Sequence, residues 1–508
     1  MRKINVFVFC VSLLWMSASC SRDFITYEQF GAKGDGRHDD MPAIVAAHEA
    51  ANAKGLPVKA RNGATYYIGG ERLTASIRTD TDWGTARFII DDSGIKVDTA
   101  VSWDHKVPVF RVESAMEPYE ITGLEGGLKK GQPNLGVTLP CRSLVRVENE
   151  DHRVYIRKGE NQNNGVPQQE MLVAGADGSV EETSAIIWDY DRITKATAWP
   201  IDEKTLTIHG GVFTTVANQE PSEYWYFIRG IVINRSNVVL EGLTHYVEGE
   251  KEHGAPYYAF IYPMTAADIT IKDCLLTPHL IYWTTGSAGI PARMGSYDLG
   301  AHSCVNIRWE NISQTIDIDN PAYWGLFASN HCKNLTMERC RISRFDAHMG
   351  VENVTLKDCV FGHMGVRCVG FGKLLMEGCE VHFPSFILFR EDYGASWDGE
   401  IILKDCIHKP HFGPITIFDG ANNGDHDFGY ACTLPRSIEL HNFVVDDICC
   451  EAVYPVYMFG TFSRDAHAAG LEPYPAEGTI LMDDVSVTSG KKIGLSLNPD
   501  LFSGYSVH

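Results

Sequence analysis

Asn334-Leu-Thr-Met-Glu-Arg-Cys340, Asn353-Val-Thr-Leu-Lys-Asp-Cys359 and Lys373-Leu-Leu-Met-Glu-Gly-Cys379 are versions of one phrase, a strand-forming run that ends at cysteine. Two further copies run from Asp268 to Cys274 and from Glu400 to Cys406. Weaker copies without the cysteine cover Asn237 to Leu243, Asn306 to Ile312, Ser437 to Phe443 and Thr479 to Val485. Apolar residues alternate at period two in each, as in a half-buried strand. The starts at 334, 353 and 373 lie 19 and 20 residues apart. A repeat of this size with one strand per copy signals a solenoid whose longer intervals hold inserted loops. Copies should stack at about 4.8 Å, so residues sharing an offset should become neighbours along the axis.

Cysteines at one repeat position share the inward direction of the apolar residues. They are expected to pack as a ladder of reduced thiols, since none forms a Cys-x-x-Cys pair.

The chain has 508 residues, 44% of them hydrophobic, and a formal charge of −21. Such an acidic chain is not expected to bind duplex nucleic acid, which demands a basic face. A local cluster of Arg and His can still reverse the potential within one groove and attract a polyanionic glycan. Arg2 and Lys3, the apolar run from Ile4 to Met16 and the small residues before Cys20 read as an export signal over residues 1–20. Small residues before a cysteine resemble a bacterial lipobox, which implies lipidation of Cys20 and attachment to a membrane at the cell surface or periplasmic face. Ser17 stands where a leucine is commoner, and secretion without the lipid is the alternative.

Phe30-Gly-Ala-Lys-Gly-Asp-Gly-Arg-His-Asp-Asp40, followed by Pro42-Ala-Ile-Val-Ala-Ala-His-Glu-Ala-Ala51, resembles the opening of the pectate-lyase-like superfamily. There a Gly-Asp-Gly turn and paired aspartates lead into a helix that covers the open end of a solenoid. Asp39 or Asp40 can cap that helix, with Pro42 in its first turn. The resemblance implies an all-β fold: a single-stranded, right-handed parallel β-helix with an N-terminal capping helix. Residues 21–89 form the cap and first coils, and residues 206–508 the main body. Over residues 90–205 the repeat lapses into segments broken by Gly-Gly, Asn163-Asn164-Gly165 and Asp177-Gly178, which suggests an inserted antiparallel β subdomain.

Counting from Asn334, Asn353 and Lys373, His348 and Arg367 share one offset, and Arg344 and His363 share another. Tyr323 and Arg390 share a third. This gathers Arg344, Asp346, His348, His363, Arg367 and Arg390 on neighbouring coils, with Trp324, Lys333, Glu391, Asp392 and Tyr393 as further substrate contacts. The set suits β-elimination on a uronic acid glycan. Arg367 and Arg390 would clamp the carboxylate, His348 oriented by Asp346 would take the C5 proton, and Tyr323 or His363 would protonate the leaving oxygen. A glycosaminoglycan such as chondroitin sulfate and a pectic polymer both fit.

Hydrolysis by paired carboxylates among Asp317, Asp319, Asp346, Glu391 and Asp392 is the alternative. Against it, the Asn-Thr-Asp, Asp-Asp and Gly-His-Gly pattern of the polygalacturonase-like branch is missing. Epimerization and non-catalytic glycan binding stay open. No cofactor is required by the sequence; the same acids could hold Ca²⁺, as in several calcium-dependent lyases of this fold. Trp283, Tyr297 and Trp397 either stack on sugar or close loops, and His245, His279 and His411 read as structural.

Overall fold

In the computed structural model, residues 23–69, 72–96, 106–222, 226–251, 254–450, 453–462 and 477–508 are described. The export signal and Cys20 lie outside them. Every copy of the repeat ends, and the copies up to Lys373 also begin, at backbone in the left-handed region. At the start, Asn237, Asp268, Asn306, Asn334 and Asn353 have φ between 51 and 59°. At the residue before the cysteine position, Asp273, Asn311, Arg339, Asp358, Asp405, Asn442 and Asp484 have φ between 50 and 56°. Asn and Asp tolerate this conformation better than most residues, which explains their recurrence at the two corners. The corner side chains also form a polar ladder: Asn334 Nδ2 donates to Asn306 Oδ1 at 2.8 Å, and Asn306 Nδ2 to Asp268 Oδ1 at 2.9 Å.

Between the corners the copies stack in parallel register. One apolar row runs through Leu206, Val238, Ile269, Ile307, Leu335, Val354, Leu374, Ile401, Ile438, Ile480 and Val507. Cys274, Cys340, Cys359, Cys379 and Cys406 are buried and free, so the thiols fill the core as small apolar groups. The helix Met41–Lys54 buries Met41, Ile44, Ala47, His48 and Ala51 against the first coils. Asp39 Oδ1 accepts the Met41 N–H at 3.1 Å, while Asp40 turns back to accept the N–H groups of Lys33 and Gly34. Asp35 Oδ1 accepts the N–H groups of Arg37 and His38 at 2.9 Å, so all three aspartates of this motif hold backbone turns.

The stretch 90–205 is more composite than its sequence suggests. Phe110–Val112 is still a solenoid strand, pairing with Ala75–Ile77 on one side and Ile231–Ile233 on the other. The antiparallel sheet follows, in the order Tyr119–Glu120, Lys195–Pro200, Ser143–Val154 and Val166–Ala174. It packs Leu144, Met171 and Val173 against Ala267 and Val305 of the solenoid, and Val154 and Tyr155 against Val369 and Tyr393.

Candidate active site

A cavity of about 770 Å³ opens on one side of the solenoid at the coils of Arg341–Lys357 and Val360–Glu377. Its floor carries Arg344, His348, Arg367 and Asn330, and the turn after Ser385–Phe389 adds Arg390, Glu391 and Asp392. Tyr258, Tyr297 and Trp324 form the wall from the preceding coils. The inserted subdomain supplies a wall through Arg157, Lys158, Glu160 and Asn161. Two glycines make room for the wall and floor: a Cβ at Gly295 would fall 1.7 Å from Trp324 Cγ, and one at Gly325 2.3 Å from Arg344 Cβ.

The offset pairing needs correction in detail. Asp346, not His348, faces Arg367, and Gly365, not His363, faces Arg344. Two compensating irregularities cause this. Phe361 to Gly365 spans two residues more than Ile342 to Arg344, and Ala347 to Val351 then spans two more than Cys368 to Gly370. Register is thus displaced by two residues where the site lies, and a further one-residue irregularity follows between Glu352 and Val354. His348 and Arg367 still line the same cavity.

Asp346 is wholly buried and takes two cations: Arg344, in a close ion pair, and Arg390 at 3.5 Å. Burial opposes its charge, but Arg344 and Arg390 outweigh it and hold the carboxyl below its ordinary range. Asp346 therefore anchors arginines and does not orient His348. Arg390 also forks onto Asp392, with Nε and Nη2 at 3.0 and 2.7 Å. Arg157 reaches the same carboxylate from the insertion at 2.8 Å. Arg344 lies against the Trp324 ring at 4.9 Å.

Arg367 differs. Its guanidinium donates to the Met364 carbonyl at 3.2 Å and covers the Phe383 ring at 5.1 Å, with no carboxylate partner among the described residues. Burial, together with Arg344 and Arg390, pushes it down to about 9. An under-compensated guanidinium at the floor of an open cavity is suited to an anion.

His348 Nδ1 is 3.0 Å from Asn330 Oδ1, and Asn330 Nδ2 donates to the Tyr258 hydroxyl at 2.8 Å. With the amide oriented by Tyr258, Nδ1 carries the proton and Nε2 is left as an acceptor. Burial, then Arg390 and Arg157, lower His348 to about 3, so the imidazole is neutral at physiological pH. Burial, then Tyr262 and Tyr297, raise Tyr258 well above an ordinary phenol, so it keeps its proton.

Several expected residues lie elsewhere. Neither Tyr323 nor His363 lines the cavity; His363 Nδ1 bonds the Ile318 carbonyl at 2.9 Å. Lys333 is buried between Glu170 at 2.6 Å and Glu352 at 3.1 Å, tying the insertion to the solenoid and out of substrate's reach. Tyr393 is 1% exposed and packs under Tyr155 and His348. Asp319 pairs with His382, outside the cavity. Tyr258, Asn330 and Arg157 were missed. Tyr258 and Tyr297 are in register on neighbouring coils and precede Asp268 and Asn306 by ten and nine residues, so counting backward from the repeats finds them. Arg157 has no such signal.

The sequence matches no protein-family model and no curated protein. The solved structures it resembles include the tailspike gp61 of Pseudomonas phage phi297, at 12% identity and a TM-score of 0.52, covering 92% of this chain and 75% of that one. The tailspike Gp54 of Acinetobacter baumannii bacteriophage AP22, solved with a capsular saccharide, matches at 11% identity and a TM-score of 0.51, covering 95% and 79%. The fold is the right-handed parallel β-helix. It is the fold of the pectate-lyase-like superfamily, as the opening motif and the repeat implied.

Proposed function

We propose that the chain binds a uronic acid-containing polysaccharide in this cavity and cleaves it by β-elimination. The observation that carries the reading is Arg367, a cation with no ion-pair partner among the described residues, lining one cavity with a neutral imidazole and a protonated phenol. Arg367 clamps the uronate carboxylate and draws charge toward it as the C5 proton leaves. His348 Nε2 takes that proton. The C4–O bond breaks as the C4–C5 double bond forms, and Tyr258 protonates the departing oxygen. A bound carboxylate also offsets the field of Arg390 and Arg157 that depresses His348, so the substrate raises the basicity of its own base. In this scheme the guanidinium neutralises the carboxylate, and no role is assigned to calcium.

Hydrolysis fits less well because it requires one protonated carboxyl. Asp346 and Asp392 are both held ionised by arginines against the effect of burial. The AP22 tailspike, a solenoid of this fold, was solved with a capsular saccharide, which supports a polysaccharide as the ligand class here. Export and lipidation at Cys20 would place the cavity where such polymers occur.

The test is incubation with chondroitin sulfate, pectate and other uronate glycans while following ultraviolet absorbance. Elimination produces the unsaturated, absorbing uronate. Reducing ends that appear without absorbance would mean hydrolysis and would overturn the lyase reading.

A further inference from the structure

Away from the cavity, three coils bring Asp319, His382 and His411 together, with one possible ligand atom from each lying within 4.8 Å of the others. We propose that this cluster binds a divalent transition metal, zinc by class. His382 Nδ1 is 2.8 Å from Asp319 Oδ2, and His411 Nε2 is 3.7 Å from the same oxygen. These separations bracket the edge of about 3.3 Å that a tetrahedron with bonds of about 2.0–2.1 Å would give. The second nitrogen of His382, Nε2, is 2.8 Å from Glu380 Oε1, and Lys409 Nζ holds the other Glu380 oxygen at 2.5 Å. A carboxylate behind the outer ring nitrogen is the arrangement that fixes the tautomer of a metal-bound histidine and raises its basicity. With Nε2–H donating to the Glu380 carboxylate, Nδ1 presents its lone pair to the ion.

Two imidazoles and one carboxylate select zinc and its neighbours over calcium, which takes oxygen ligands. The His411 side chain is 50% exposed, so the fourth position faces solvent. The consequence is structural. Asp319 sits in the segment leading from Ser313–Gln314 to Trp324 on the cavity wall, and a metal would staple that segment to the coils of Glu380–Val381 and His411. This inference stands whether or not the cavity turns over a glycan.

Full-length protein stripped with a chelator is titrated with zinc chloride by calorimetry, with metal analysis of the dialysed product. One zinc per chain is expected, together with a rise in Tm and slower hydrogen exchange over residues 315–324. Calcium chloride gives none of these. His411→Ala removes a half-exposed side chain without disturbing the core and lowers zinc affinity by about 100-fold or more. Glu380→Gln keeps the stoichiometry and weakens binding about 10–100-fold. Failure of the stripped protein to take up zinc, or uptake unchanged by His411→Ala, overturns the proposal.

Discussion

Replacing Arg367 by methionine should separate stability from function. The side chain keeps most of its volume and its contact with Phe383, but loses the charge. In the folded protein that charge is opposed by burial and by Arg344 and Arg390, which bring the guanidinium down from its ordinary value to about 9. At about 1.4 kcal/mol per pKa unit, the strain on the charged form is on the order of 5 kcal/mol. Asp346, already held by Arg344 and Arg390, offsets only part of it, and no carboxylate among the described residues forms an ion pair with Arg367. Arg367→Met should therefore raise Tm or leave it unchanged, where most core-facing substitutions lower it. A charge-assisted hydrogen bond contributes about 1.5–3 kcal/mol, so loss of the clamp should reduce kcat/KM on a uronate glycan by about 10- to 150-fold. Thermal unfolding and absorbance kinetics on one preparation read both. A clear fall in Tm would make Arg367 a structural cation, and unchanged kcat/KM would move the clamp elsewhere.

His348→Ala should lower kcat by about 10²- to 10⁴-fold with Tm within a few degrees of the parent, as expected for a lost general base. Tyr258→Phe should slow polymers with poor leaving groups more than activated aryl uronides, which a competition between the two substrates would reveal. Lys333→Met leaves Glu170 and Glu352 buried together, and removal of one partner from such a pair costs about 3–5 kcal/mol, readable as a lower urea midpoint. Burial lowers His48 to about 3 and His408 to about 4, below the ordinary 6.5 of an exposed imidazole. The unfolded chain therefore binds more protons below pH 6.5. Stability should be at its plateau above that value and fall as pH drops toward 4, by up to about 1.4 kcal/mol per pH unit for each histidine. A flat urea midpoint between pH 7 and pH 4.5 would contradict this.

The solenoid was legible because its cause is periodic: the same corners demand Asn or Asp, and the same interior row demands apolar residues, in copy after copy. Site placement was legible to the precision of a coil and no finer. Arg344, His348, Arg367 and Arg390 were assigned to one groove, and they line one cavity. The pairing within it was misread because the two-residue excess at Phe361–Gly365 is cancelled by the one at Ala347–Val351. The repeat phrases on either side stay in phase, so counting from them gives no warning. Lys333 and Tyr393 look like solvent-facing groups beside a repeat strand. The insertion covers both, placing Glu170 on Lys333 and Tyr155 on Tyr393, and nothing in the periodic part of the chain records where an insertion folds back.

The insertion also accounts for a basic cavity in a chain of charge −21. Arg157 and Lys158 come from its hairpin, while Arg344, Arg367 and Arg390 come from the coils. Asp346 and Asp392 lie among these cations, and each takes more than one of them. The two carboxylates let like charges pack closely, at the cost of occupying Arg344, Arg390 and Arg157. Of the cavity guanidiniums on the coils, Arg367 is the one left over from this neutralisation, while Arg293, on the hairpin of Ile281–Thr285 and Pro291–Gly295, lies over the Trp283 ring. A third carboxylate beside it would stabilise the fold and close the site to an anion. On that argument, a variant carrying an acid within reach of Arg367, such as Leu388→Glu on the adjoining coil, should gain stability and lose affinity for uronate glycans together.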